Sequence, residues 1–330
     1  MVIALGCTQR EKSFIQTRNG QIYIEGNKVK LIGANIAFWN RRWEKVSKED
    51  LKQDIEKIKE IGNTARIFVI YGDRKRDYFG TIEETRKFLD KLEYFVKEAQ
   101  AQGVIVIVTN VVLRYSEVEK NKEFIKQILQ RLKDYKNVIY DIQNEPDLEA
   151  QYVPRRRRSI VNWCNQIAEF VKDNDPGHHL VTIGFSGLDL IANAEINLEN
   201  IDIICFHLGI PDVYLLKRRV EKIRSILVNR GYAKMPIAIE EIGLPSKDYD
   251  EAMRSEKFQE LYNMAKKLDI SMFVWWCLRD VLMDSNAVDG DRINIEPHTW
   301  GIFNADFSRK EYSSQVAIEI GREATKFNFK

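Results

Sequence analysis

The run Gly103-Val-Ile-Val-Ile-Val-Thr109 decides the fold. Residues 104–108 are all β-branched and apolar. A strand with one wet face alternates apolar and polar residues, so an unbroken run of this kind belongs to a strand buried on both faces of a parallel sheet. Parallel neighbours need long crossovers, usually helices, and the flanking segments read as such. Upstream, Thr81-Ile-Glu-Glu84 is a capping-box pattern. It opens a helix whose Ile82, Phe88, Leu89, Leu92, Phe95 and Val96 share one face. Downstream, Ser116-Glu-Val-Glu119 predicts the cap of the next helix.

The same rhythm extends in both directions. Strands are predicted at Val29–Asn35, Asn63–Val69, Val138–Ile142, Leu180–Ile183, Ile201–Phe206, Pro236–Ile239 and Ser271–Trp276. Helices are predicted from the Ser47-Lys-Glu-Asp50 box to Ile61, then over Arg157–Lys172, Val213–Arg230, Tyr249–Lys267 and Glu311–Thr325. Eight strands separated by helices predict an α/β chain folded as a (β/α)8 TIM barrel. An open doubly wound sheet is the alternative. It is disfavoured because neither G-x-G-x-x-G nor G-x-x-x-x-G-K-[ST] occurs. Phe14–Lys28, with Asn19-Gly20 and Gly26-Asn27, reads as an N-terminal β-hairpin. No Ser/Gly-rich linker divides the chain, so residues 14–330 are expected to form one catalytic domain.

Composition agrees and excludes some functions. The 330 residues carry 51 Lys+Arg against 49 Asp+Glu, a net charge of +2 that argues against nucleic acid as a partner. Four cysteines make no disulfide framework; Cys164, Cys205 and Cys277 sit in apolar runs. No apolar stretch approaches the ~20 residues that cross a bilayer. Ala4-Leu5-Gly6-Cys7 looks like the end of a bacterial lipoprotein signal, with Ala4 where Leu is preferred. Residues 1–13 therefore read either as the remnant of such a signal, with membrane attachment through a lipidated Cys7, or as a frayed terminus with a chance cysteine. A signal would make the protein an exported one, secreted or held at the cell envelope; a cytoplasmic protein is the alternative.

Barrel chemistry sits at the C-terminal ends of the strands. Those ends carry Asn35 and Trp39, Arg66, Asn110 with Tyr115 beyond it, Asn144-Glu145, His207, Glu240-Glu241 and Trp275-Trp276. Two carboxylates face each other across one mouth, as retaining cleavage of a glycosidic bond requires, and aromatic side chains around them suit sugar faces. Arg66, inside an apolar strand, needs a charge partner if buried. No His/Cys/Asp spacing argues for a metal, and no cofactor is implied. Arg155–Arg158 reads as a solvated first helical turn, with a polyanion site as the alternative.

These residues resemble clan A glycoside hydrolases and are most similar to family 5. The likeness runs through Gly33-Ala34-Asn35, Gly62-Asn63-Thr64-Ala65-Arg66, Ile142-Gln143-Asn144-Glu145-Pro146, Phe206-His207, Ile239-Glu240-Glu241-Ile242-Gly243 and Trp300–Asp306. The resemblance implies Glu145 as general acid/base and Asn144 as the residue binding the substrate 2-hydroxyl. It implies Glu241, two residues before Gly243, as nucleophile with Glu240 as fallback, and Arg66 as the nucleophile's hydrogen-bond partner. Strand alternation agrees, since neighbouring side chains point to opposite faces, and Glu240 is then expected in an outward ion pair. Trp275, rather than Trp276, matches the sugar-stacking position when the strand is counted from Ser271. The chain departs from the family where His207-Leu208-Gly209 replaces the usual His-x-Tyr and where the strand-3 histidine is absent.

The expected function is a retaining, endo-acting β-1,4-glucanase or β-mannanase working as a monomer on an oligo- or polysaccharide. An exo-acting β-glycosidase and a non-catalytic glycan-binding lipoprotein on the same barrel are the alternatives; an aldolase would want a strand-end Lys or phosphate loop. For Glu145 to act as acid, its pKa is expected to exceed that of Glu241.

Overall fold

The structure is a computed structural model that describes residues 14–36, 46–71, 81–112, 114–209, 211–245, 248–280 and 300–329, the side chains of residues 70 and 71 excepted. Cys7, Trp39 and most of the polar loop after Arg279 lie outside the described residues. The chain enters through β1 (Ile15–Arg18), β2 (Gln21–Ile24) and β3 (Asn27–Lys28), a small antiparallel sheet. Asn19 and Gly20 both take positive φ, 51° and 77°, which is why Asn-Gly turns β1 into β2. The predicted hairpin thus gains a third, two-residue strand.

Eight parallel strands then close a barrel: β4 (Leu31–Ile36), β5 (Thr64–Tyr71), β6 (Ile105–Val112), β7 (Val138–Asn144), β8 (Leu180–Phe185), β9 (Ile203–Leu208), β10 (Ile237–Ile242) and β11 (Met272–Trp275). The ring runs in chain order, with β11 paired to β4. The helices between them are α1 (Lys48–Ile61), α2 (Ile82–Ala101), α3 (Val118–Leu132), α4 (Pro146–Tyr152), α5 (Arg157–Asn174), α6 (Asp189–Ala192), α7 (Val213–Asn229), α8 (Glu251–Lys267) and α9 (Ser313–Gly321). None among the described residues is long and apolar enough to span a membrane.

The capping boxes at Ser47/Asp50 and Thr81/Glu84 are both formed. The one predicted at Ser116 is not. Glu117 is the N-cap of α3 and makes no side-chain capping bond, having moved the helix start one residue beyond the motif.

Alternation along the strands sorts side chains into two cores. Outward residues such as Ile67, Val106, Val108, Tyr140, Phe206 and Phe273 pack against the helices. Inward residues Leu31, Ile105, Ile107, Ile139, Ile203, Cys205, Ala238, Met272 and Val274 fill the lower barrel. The antiparallel sheet closes that end with Ile15, Ile22, Ile24 and Val29, backed by Phe14, Phe327 and Phe329. His179 lies away from the mouth, buried between Asp175 and the Tyr135 carbonyl. Among the described residues the interior is therefore plugged below, at the end opposite the strands' C-termini.

Candidate active site

Two residues further along the same strands the interior becomes charged. Arg66 on β5 is fully buried and bonded on three sides. Its Nη2 donates to Asp141 (2.7 Å) and Asn144 (2.8 Å), and its Nη1 donates to Asn35 (3.0 Å) and Glu241 (2.5 Å). The charges of Glu240, Asp141 and Glu241 outweigh burial and hold the guanidinium firmly protonated. Asn35 is a strut: its amide also donates to the Glu240 and Trp275 carbonyls, tying β4 to β10 and β11.

Asp141 is a residue that sequence reasoning missed. It sits inside β7, in phase with inward Ile139, so the argument that Arg66 needs a partner pointed to it as directly as to a catalytic acid. Burial, and then the Glu240 charge, raise its carboxyl to about 7 despite Arg66.

β10 delivers two adjacent carboxylates to one cavity. Ala238 faces inward and Ile239 outward, so alternation places Glu240 inside. Pairing with β9 then slips: Ile239 opposes Phe206, and Glu241, not Glu240, opposes His207. This irregularity keeps Glu241 at the mouth as well. The expectation that neighbouring glutamates point to opposite faces, with Glu240 in an outward ion pair, is thereby corrected. Exposure separates their roles, because the Glu145 and Glu241 side chains retain 26% and 16% of their surface while Glu240, Asp141 and Arg66 retain none. Only the first two can meet a ligand.

Glu145 reaches the same space from the end of β7. It ends the strand in left-handed backbone (φ 47°, ψ 50°) immediately before Pro146 opens α4. Such a conformation is costly for a residue with a side chain and is held here by the surrounding structure. Asp147 anchors the turn by accepting from the backbone N–H groups of Ser186 and Gly187 after β8. His207 Nδ1 lies 2.9 Å from Glu145 Oε1 and 3.5 Å from Glu241 Oε2. One atom each of Glu145, His207 and Glu241 fall within 4.8 Å of one another. These three atoms could ligate a cation only if His207 gave up the proton it shares with Glu145, because a metal takes neutral imidazole. Burial alone would lower His207; the Glu241 charge, the hydrogen bond to Glu145 and the nearby Glu240 carboxylate raise it to about 10.

The two carboxyls respond oppositely. Burial pushes Glu145 up, but the hydrogen bond and charge of His207, then Arg66, hold it below the ordinary glutamate value. Burial raises Glu241, with His207 and Arg66 offsetting only part and Glu145 adding to it. The expected order is inverted, because the nearby proton is held by His207.

Two aromatic expectations are corrected. Trp275 is fully buried against Phe258 of α8 and Phe273. Met272 and Val274 are the inward residues of β11, so the phase counted from Ser271 was one residue off and Trp276 follows them. Trp276 is partly exposed and meets Phe68 edge-on. Tyr115 is no wall of the mouth: it packs edge-on against Trp163 of α5, and its hydroxyl meets Glu149 and Gln143. Asn144 stands beside the two exposed carboxylates, partly accessible. In the Arg155–Arg158 run, Arg157 pairs with Asp189 and Glu195.

The cellulase model of glycosyl hydrolase family 5 matches residues 22–280, most of the barrel. The chain belongs to family 5. That membership puts it among the retaining glycoside hydrolases of clan A. A search of curated protein sequences finds no significant match. Among solved structures, this family 5 domain is similar to the exo-β-1,4-mannosidase Op5Man5 from Opitutaceae bacterium strain TAV5. Identity is 16%, the TM-score is 0.72, and the match covers 92% of this chain and 61% of that one. It therefore spans about three fifths of the mannosidase. A family 5 subfamily 18 protein from Bifidobacterium longum subsp. infantis gives 16% identity, TM-score 0.68, and 90% and 79% coverage. The catalytic domain of Thermobifida fusca endoglucanase Cel5A gives 20% identity, TM-score 0.57, and 80% and 84% coverage.

Proposed function

We propose that the chain hydrolyses β-1,4-linked glucan or mannan with retention, by double displacement between Glu145 and Glu241. The observation that carries this reading is the pair of partly exposed carboxylates, with oxygens within 4.8 Å, at the C-terminal ends of the strands, opposite the end that the antiparallel sheet closes. Retaining enzymes hold their carboxyls ~5–5.5 Å apart, whereas inverting ones need ~6.5–9.5 Å for a water.

In this mechanism Glu241, kept anionic by Arg66, attacks the anomeric carbon and forms the glycosyl ester. The departing oxygen takes a proton from Glu145. That proton comes to Glu145 Oε1 from His207 Nδ1, 2.9 Å away. Glu145, now a carboxylate, then deprotonates the water that cleaves the ester, and both carboxyls return to their starting state. On this reading Asn144, partly accessible beside the two carboxylates, binds the 2-hydroxyl, and the partly exposed Trp276 stacks on a sugar ring. Glucans and mannans of the kind proposed are met outside cells, and on this reading the protein is an exported one. Exo-action on a short oligosaccharide is the second reading, favoured by the likeness to a protein named an exo-mannosidase.

A panel of aryl glycosides, glucans and mannans run on the parent, Glu145→Ala and Glu241→Ala tests the assignment. Azide is expected to rescue Glu241→Ala and to give an inverted glycosyl azide. Binding of glycans without turnover, or full activity in both variants, would sink it. Product lengths released from polymer separate endo from exo action.

A further inference from the structure

Beneath the two exposed carboxylates lies a meeting of buried polar atoms that the double displacement does not use. Glu240 is fully buried, and neither of its carboxylate oxygens has a hydrogen-bond partner. Arg66 Nε and His207 Nε2 are also buried and unpartnered, although every other nitrogen of these two side chains is engaged. These orphans face each other. Glu240 Oε1 stands 3.5 Å from Arg66 Nε, and its Oε2 stands 3.9 Å from His207 Nε2.

Gly184 on β8 keeps the space between them open. A Cβ there would come within 2.6 Å of Glu240 Oε2 and 2.7 Å of His207 Nε2. Leaving a buried polar group without a partner is costly, so three converging on one spot, behind a gap that only glycine allows, are each other's partners.

We propose that Glu240 is the positioning residue of the acid/base. As a buried anion it bridges Arg66 and His207, holds the imidazole with Nδ1 on Glu145, and keeps the mobile proton in the His207–Glu145 pair. Glu240 does not touch substrate; it acts through His207. Other charges also face that imidazole: Glu145 from β7, Glu241 from β10, Arg66 from β5 and Asp147 from α4, with Arg219 of α7 donating to the His207 carbonyl. Glu240 alone faces Nε2. When sugar arrives, the proton moves from Nδ1 to Glu145 Oε1, leaving neutral imidazole and a neutral acid. After the leaving group has taken that proton, the hydrolytic water supplies its replacement. The proposal rests on the hydrolase reading for its consequence but not for its test.

That test is an NMR titration of the imidazole in the whole chain, with the His207 resonance assigned by its loss in His207→Gln. In the parent, His207 is expected to stay charged well above the ordinary histidine range; titration at or below ~6.5 overturns the proposal. Glu240→Gln removes the charge at nearly constant shape and is expected to lower the midpoint by about one unit or more, while Glu240→Asp retains most of the elevation. Gly184→Ala, which crowds the pair apart without deleting a charge, is expected to lower it as well and carries the test should Glu240→Gln not fold. An unmoved midpoint in either folded variant overturns the proposal.

Kinetics give the second readout. In Glu240→Gln, kcat is expected to fall about tenfold or more with KM within about twofold, and the alkaline limb of the pH profile to move to lower pH. If the parent cleaves no glycoside while the titrations behave as expected, the hydrolase reading falls and the Glu240 assignment stands. If it cleaves glycosides and the midpoint does not move, the reverse holds.

Discussion

Ile105 and Ile107 on β6, Ile203 and Cys205 on β9, and Met272 and Val274 on β11 fill the lower barrel; one inward position further along stand Thr109, His207 and Trp276. The two levels share strands and register, and differ in what burial demands. Below, each side chain gains by leaving water, and any well-fitting apolar residue serves. Above, Arg66, Asp141, Glu240 and His207 are taken out of water at a cost that only their mutual pairing offsets. The lower level can be changed for stability alone, whereas the upper one cannot be changed without altering charge at Glu145 and Glu241.

The sharpest way to break that contrast is to damage each level once. Arg66→Met leaves Asp141 and Glu240 buried without their cation, and it is expected to cost roughly 3–5 kcal/mol of stability. It should also cost roughly a thousandfold or more in kcat/KM, because the nucleophile loses the partner that holds it anionic. Ile107→Ala is expected to cost about 2–5 kcal/mol while leaving kcat/KM within about twofold at a temperature where the variant is folded. Chemical denaturation and hydrolysis rates measured on both decide it. A comparable loss of activity in Ile107→Ala would erase the distinction between levels.

The adjacent tryptophans sharpen it at one strand. Trp275→Ala opens a cavity against Phe258 and Phe273 and is expected to lose about 3–5 kcal/mol of stability. Trp276→Ala, at the partly exposed rim, should lose little stability but raise KM for oligosaccharides about tenfold, the worth of one stacked ring. The pair was legible in the sequence as one inside and one outside, and only the phase was not. A four-residue strand offers two inward positions, so a start misjudged by one residue reverses every face.

Glu240 and Glu241 show the same limit more severely, since the slip in pairing that brings both to one cavity depends on how β10 meets β9, which no local pattern encodes. The barrel itself was readable because eight apolar runs with helices between them leave few other arrangements. Charge was half readable. Arg66 announced a buried partner, but Asp141 supplying much of it could be found only by counting inward from Ile139.

Titration separates the levels again. The folded Asp141 carboxyl, raised to about 7, binds its proton more tightly than an unfolded aspartate, so its contribution falls as pH rises from about 4 through 7. His207 contributes stability in full below ~6.5 and loses it as pH climbs through about 10. Glu145, held low, acts in the opposite sense, but only on the acid side of its ordinary value. Stability is therefore expected to decline by roughly 2–4 kcal/mol between pH 6.5 and 10. In His207→Gln that decline should shrink to a fraction, whereas Ile107→Ala should lower the whole curve without changing its slope. Urea midpoints across the range read both, and an unchanged slope in His207→Gln would remove the imidazolium from the upper level.

The smallest effect lies outside the barrel, where two serines with the same motif have different fates. Ser47 caps α1: its hydroxyl accepts from the Asp50 N–H, and Asp50 accepts in return from the Ser47 N–H. Ser116 has the same S-x-x-acid spacing, yet α3 begins after Glu117, and no side chain caps it. Ser47→Ala is expected to cost about 1 kcal/mol and Ser116→Ala less than about 0.3 kcal/mol. Acidic residues favour a helix's first turn wherever the cap falls, so a motif search registers both sites alike. The two differ in where the preceding strand releases the chain: Tyr115 is drawn onto Trp163 and Glu149, and this anchors the segment one residue before the motif. Equal losses in the two variants would mean that Ser116 caps α3 in solution and that the packing of Tyr115 does not set where that helix starts.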